Sequence, residues 1–139
     1  MKKTSEGKKI AINCFLIDDD KDDQEIFSMA LEDLNHPISC FFASDGAEAI
    51  MRFNSDPQFL PDYIFIDINM PRMNGIECLQ VVKESNAIKH IPVYMISTSA
   101  DPKIMAKSID MGALDFIVKP SSVIVLTQLL AERLNLNHP

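Results

Sequence analysis

Apolar residues along this chain follow two alternating patterns. Short, largely apolar runs occupy Ile10 to Ile17, Ile38 to Ala43, Tyr63 to Ile66, Pro92 to Ile96 and Ala113 to Val118. Each is too short for a typical helix and reads as a strand covered on both faces. Between and after them, apolar positions recur every three or four residues. The sets are Ile26, Met29 or Ala30, and Leu34; then Ala47, Ala49, Ile50 and Phe53; then Ile76, Leu79 and Val81 or Val82. A fourth helix opens at Asp101-Pro102 and runs to Met111 before Gly112; a fifth carries Val123, Leu126, Leu130 and Leu134. Caps and breakers fall between the segments: Asn35-His36-Pro37, Ser44-Asp45-Gly46, Ser85-Asn86 and Ser121-Ser122. Five strands alternating with five helices predict an α/β fold, a parallel sheet with right-handed crossovers and helices on both faces.

Length and charge narrow this picture. A chain of 139 residues predicts one domain, burying roughly two-thirds of its unfolded surface without a staple. Residues 1 to 9 are polar and basic, without periodicity, and read as a loose tail; residues 10 to 136 form the domain. A net charge of -7 argues against nucleic acid as a partner. No apolar run approaches the ~20 residues of a membrane span. Cys14, Cys40 and Cys78 lack any CxxC spacing and read as small hydrophobes in a reducing compartment, so the expected location is the cytoplasm. His36, His90 and His138 follow no metal or triad spacing.

The candidate chemistry gathers around one stretch. The run Tyr63 to Ile66 ends in Asp67, and Ile68-Asn69-Met70-Pro71-Arg72-Met73-Asn74-Gly75 follows. In open α/β sheets, ligands collect at the C-terminal ends of strands. The other strand ends deliver Asp18 and Asp19, Ser97 and Thr98, and Lys119. Two like charges ~4 Å apart repel by about 4 kcal/mol at an effective dielectric near 20. Three carboxylates in one crevice therefore call for a neutralising group, and hard oxygen ligands suit Mg²⁺. With Lys119 and a hydroxyl at Ser97, the set describes a receptacle for a dianion beside a metal, one carboxylate being placed to attack phosphorus. Each group alone admits a plainer role: Asp67 as loop punctuation, Asp18-Asp19-Asp20 as a solvated helix cap, Ser97 and Thr98 as capping hydroxyls, Lys119 as a surface lysine. Their conjunction on four strand ends carries the argument.

That conjunction resembles the response-regulator receiver domain of two-component signalling, in its stand-alone, chemotaxis-regulator-like form. The resemblance spans about residues 10 to 136. It rests on the acidic pair Asp18-Asp19, the run Asp67-Ile68-Asn69-Met70-Pro71 with Gly75 downstream, Ser97, and Val118-Lys119-Pro120. It implies a flavodoxin-like sheet in the order 2-1-3-4-5. It further implies that Asp67 accepts a phosphoryl group from a histidine kinase or histidine phosphotransfer protein. Asp19, Asp67 and the backbone carbonyl of Asn69 would hold Mg²⁺, with Asp18 helping through water. Ser97 would be the switch hydroxyl, Phe116 the switch aromatic, and Lys119 the contact to the phosphoryl group. A cis Lys119-Pro120 peptide is implied as well. The resemblance implies a phosphoacceptor rather than an enzyme in the ordinary sense, with room for intrinsic autophosphorylation and autodephosphorylation. Such a chain signals by contact with a downstream protein, as a monomer or as a weak dimer through the helix-4, strand-5 and helix-5 face, and binds neither nucleic acid nor membrane.

Two departures from the pattern stand out. Thr98 replaces a common small Ala, implying a tighter pocket, and Phe116 replaces a common Tyr, leaving any switching to packing alone. Two other readings compete. An Asp-nucleophile phosphohydrolase wants a second carboxylate two residues on, where Asn69 stands. A nucleotide- or flavin-binding doubly wound domain wants a glycine-rich phosphate loop, and no GxGxxG or GxxxxGK[ST] follows any strand.

Overall fold

The five apolar runs pair as strands β1 (Ile12–Ile17), β2 (Ile38–Ala43), β3 (Tyr63–Asp67), β4 (Val93–Ser97) and β5 (Asp115–Val118). The structure is a computed structural model that describes residues 11–136; the expected tail and Ile10 lie outside them. All pairings are parallel, in the order β2-β1-β3-β4-β5. This is the doubly wound order implied by the resemblance. The fifth strand starts two residues later than its apolar run, because Ala113 and Leu114 form the approach to it; Leu114 N–H already donates to Val93 O.

Successive strand residues face opposite sides, so each strand feeds two cores. Phe15, Ile17, Ile64, Ile66, Val93, Met95 and Phe116 point to one side, under α2 (Gly46–Ser55), α3 (Gly75–Glu84) and α4 (Pro102–Asp110). Cys14, Leu16, Phe65, Tyr94, Ile96 and Ile117 point to the other, under α1 (Lys21–Glu32) and α5 (Val123–Arg133). Phe65 stacks on Tyr94 and meets Phe27 edge-on, with centroids 5.3 and 5.0 Å apart. Fully burying one such ring stabilises the fold by roughly 1.5–3 kcal/mol. Cys14 and Cys40 are register partners on β1 and β2, and burial pushes the Cys14 thiol up to about 12.

Caps set the helix starts. Asp20, Asp45, Asn74, Asp101 and Ser122 each accept a backbone N–H of the first turn, satisfying donors the helix cannot. Asn74 and Glu77 complete a reciprocal capping box. The first helix corrects the expected stripe: Ile26 and Met29 are exposed, and the buried face is Gln24, Phe27, Ala30 and Leu31. Polar Gln24 occupies an inward position because its amide donates to Asp18 O at 2.8 Å. That pairing hides the helix phase from an apolar pattern.

Candidate functional site

Register brings the strand ends together. Ile17 pairs with Ile66, Asp67 with Ile96, and Ser97 with Val118. The next backbone bonds continue the alignment: Ile68 N–H donates to Ile96 O at 3.0 Å and Lys119 N–H to Ser97 O at 2.7 Å. Asp18 follows Ile17, so it lies level with Asp67 on the neighbouring strand. The ends of β1, β3, β4 and β5 thus lie side by side on one edge of the sheet.

The loop after β3 is held close. Gly75 N–H donates to Ile68 O at 2.9 Å, and a Cβ on Gly75 would lie 2.3 Å from Asp67 O and 2.8 Å from Ile68 Cα. Only glycine lets the start of α3 approach β3 so tightly. Arg72 adopts a left-handed backbone (φ 64°) and its guanidinium pairs with the carboxylate of Asp45, the cap of α2. Ile68 and Met70 are buried on either side of Asn69, which is exposed.

Asp18, Asp19 and Asp67 each offer a carboxylate oxygen, all within 4.8 Å of one another. Asp18 and Asp67 are buried, whereas Asp19 is exposed. Lys119 Nζ reaches Asp18 Oδ2 at 2.9 Å and Asp67 Oδ1 at 3.5 Å. It also reaches Asp23 Oδ2 at 2.7 Å, a contact the sequence pattern missed. An acid in the first turn of α1 is ordinarily explained by the helix dipole, yet Asp23 sits one turn beyond Asp19–Asp20 and faces the same crevice. Burial pushes the Asp67 carboxyl up to about 6; Lys119 draws it down, while Asp18 and Asp19 push it further up. Burial is also the main cause raising the Asp18 carboxyl, against the bonds from Asp20 N–H and Lys119. The Lys119 ammonium is held above its usual range by Asp23, Asp18 and Asp67, which outweigh its own desolvation.

Among the described residues, Lys119 is the one cation bonded to this cluster, against four carboxylates. The excess negative charge at buried oxygens fits a hard divalent cation, and the donor set contains no soft ligand to favour another kind. The remaining predicted groups lie at or near β4 and β5. Ser97 Oγ is buried and accepts Ser99 N–H at 3.2 Å. Phe116 is already turned into the core, at 8% exposure. Thr98 is exposed. The implied cis peptide is corrected: no cis bond occurs among the described residues, so Lys119-Pro120 is trans. In this trans geometry Lys119 N–H still completes its bond to β4, and Nζ still reaches the three carboxylates. His36 and His90 are exposed and outside the site, and His138 lies outside the described residues.

Known proteins share this fold. The profile of the response regulator receiver domain family matches residues 14–131. The rice two-component response regulator ORR12 is 31% identical over 115 residues, which are 83% of this chain and 92% of that protein. The phosphorylated cyanobacterial phytochrome response regulator RcpA superposes with a TM-score of 0.80 at 27% identity, over 89% of this chain and 91% of that one. CheY in the CheX-CheY-BeF3-Mg²⁺ complex of Borrelia burgdorferi does so with a TM-score of 0.74 at 27% identity, over 88% and 89% of the two chains. A parallel sheet in the order 2-1-3-4-5, acids at the ends of β1 and β3, a hydroxyl at the end of β4 and a lysine after β5 thus converge with these matches: the chain belongs to the response-regulator receiver family.

Proposed function

We propose that this receiver is a phosphorylation switch in which Asp67 takes a phosphoryl group from a phosphohistidine of a histidine kinase or histidine phosphotransfer protein. The observation that carries the reading is the convergence of Asp18, Asp19 and Asp67 within 4.8 Å, with Lys119 beside them. In the transfer, a carboxylate oxygen of Asp67 attacks phosphorus and the phosphorus–nitrogen bond breaks. The electron pair leaves with the imidazole nitrogen, which takes up a proton. Burial favours a protonated Asp67 up to pH about 6, so the nucleophilic form prevails above that pH. Lys119 offers its ammonium to the phosphoryl oxygens, a charge-assisted bond of the strong class. Asp18, Asp19, Asp67 and the Asn69 carbonyl would hold Mg²⁺. When bound, the ion neutralises their charge and that of the incoming phosphoryl oxygens.

Signalling follows from packing in this reading. The Ser97 hydroxyl exchanges its bond from Ser99 N–H for one to the phosphoryl group. The volume around Phe116 changes, and the surface of α4 and β5 changes with it. The output is a protein contact in the cytoplasm; the CheX complex of a relative is one precedent for such a contact. Among the described residues no helix is long and apolar enough to cross a membrane.

Incubation with Mg²⁺ and a small phosphodonor, followed by intact-mass measurement, tests the acceptor. A gain of one phosphoryl group that needs the metal and disappears in Asp67→Asn is expected. Uptake that persists in the variant removes Asp67 from the role. Mg²⁺ should also stabilise the protein, by about 1.4 kcal/mol at ten times its dissociation constant.

A further inference from the structure

We propose that Asp23 is a positioning residue that competes with the phosphoryl site for Lys119. This rests on the receiver reading of Asp67 and adds a residue to it. An ammonium has three protons to place. Lys119 Nζ lies 2.7 Å from Asp23 Oδ2 and 2.9 Å from Asp18 Oδ2, but 3.5 Å from Asp67 Oδ1. In the unphosphorylated arrangement it is thus bonded to the two flanking acids and only approaches the acceptor.

The two flanking acids differ in how firmly they hold. The Asp18 side chain is 1% exposed, its Oδ1 accepts Asp20 N–H at 2.9 Å, and its backbone continues β1 by donating to Ala43 O. Asp23 sits on the first turn of α1 with its side chain 31% exposed, and among the described residues that side chain bonds Lys119 alone. Asp18, Asp23 and Lys119 border a mainly apolar cavity of about 50 Å³ between α1 and α5, whose lining includes Leu16, Phe27, Ile117 and Leu126. The lysine stem borders it and has space on that side.

Phosphorylation of Asp67 replaces one negative charge by two and adds three strong acceptor oxygens. Lys119 must then shift towards Asp67, and the bond it gives up is the one to the partly exposed, singly tethered Asp23. Asp23 therefore opposes the phosphorylated state by holding the lysine back. Its own negative charge does so through Lys119 rather than by direct contact with the phosphoryl group.

Beryllofluoride with excess Mg²⁺ serves as the probe, its binding followed by amide shifts and by the ammonium signal of Lys119. Asp23→Asn should bind the probe about five-fold more tightly than wild type, the scale of a partly exposed ion pair. Asp23→Glu should restore wild-type affinity. In a Lys119→Ala background, Asp23→Asn should gain much less, only what removing a nearby negative charge gives, because the lysine it acts through is gone. Unchanged or weaker binding by Asp23→Asn overturns the proposal, as does a gain that persists undiminished without Lys119. A wild type that binds no beryllofluoride with Mg²⁺ instead overturns the receiver reading itself.

Discussion

Two halves of one sheet edge are built in opposite ways. At β1 and β3 the site consists of acids in fixed positions. Asp18 is buried and bonded through both carboxylate oxygens, and Asp67 stands against a glycine-tight turn. At β4 and β5 the groups have room or alternatives: the Ser97 hydroxyl bonds only its own loop, Ser99 is exposed, and Lys119 has a long stem beside a cavity. Under the proposed function, this difference would give binding to the first half and response to the second. A rigid, charge-strained set of oxygens can discriminate a cation and a phosphoryl group. A looser set can rearrange once they arrive.

The sharpest way to break this division is substitution on each side. Asp67→Asn should abolish phosphate uptake, measured by intact mass with a small phosphodonor and Mg²⁺. Ser97→Ala should still take up phosphate yet lose the amide-shift changes of α4 and β5 with beryllofluoride. A Ser97 variant that cannot be phosphorylated would merge the two halves into one.

Rigidity is testable next. In Gly75→Ala the new Cβ meets backbone 2.3 Å away, which α3 can relieve only by withdrawing from β3. Overpacking of this kind costs typically 1–3 kcal/mol, and contact with backbone places it at about 3. The chemical-denaturation midpoint should fall accordingly. A loss below about 0.5 kcal/mol would show that the β3–α3 turn is slack.

Charge strain sets the third effect. The Asp67 carboxyl is raised by burial from 3.8 to about 6. Below its unfolded value the group is protonated in both states, and its stabilising contribution is complete. That contribution is lost as pH rises from about 4 to 6, by about 3 kcal/mol if the side chain stays buried. Metal-free wild type should therefore lose stability relative to Asp67→Asn across this window. Mg²⁺ should recover most of the loss above pH 6. Parallel pH curves for the two proteins would mean that Asp67 is not strained.

The sheet and its order were readable because each strand is a short apolar run and each helix carries its own cap. The acids, the hydroxyl and Lys119 were readable because strand ends in a parallel sheet fall on one edge. Asp23 was not, since its partner lies 96 residues away and its position at a helix start has an ordinary electrostatic explanation. Gln24 misled for a related reason: a polar residue facing inward shifts the apparent phase of α1, and only its bond to Asp18 O accounts for it. The trans Lys119-Pro120 bond was beyond local reading as well, because X-Pro isomers differ by only about 0.5–1 kcal/mol and tertiary context decides between them.

The smallest expected effect belongs to Thr98. It is exposed on the looser half, so Thr98→Ala should change stability by less than about 0.5 kcal/mol and leave beryllofluoride affinity within about two-fold. A larger change in affinity would show that this side chain reaches the bound probe.

The pairing of Cys14 with Cys40 gives the molecule a built-in gauge of its own opening. Cys14 lies on an interior strand with its thiol held near 12, and its register partner is on the edge strand β2. A thiolate is the reactive form, so alkylation of Cys14 in the closed sheet is slow. Its rate of modification therefore counts how often β2 and α1 lift away from β1. Measured with and without beryllofluoride, that rate reports whether phosphoryl-like occupancy at one end of the strand tightens the sheet along its whole length.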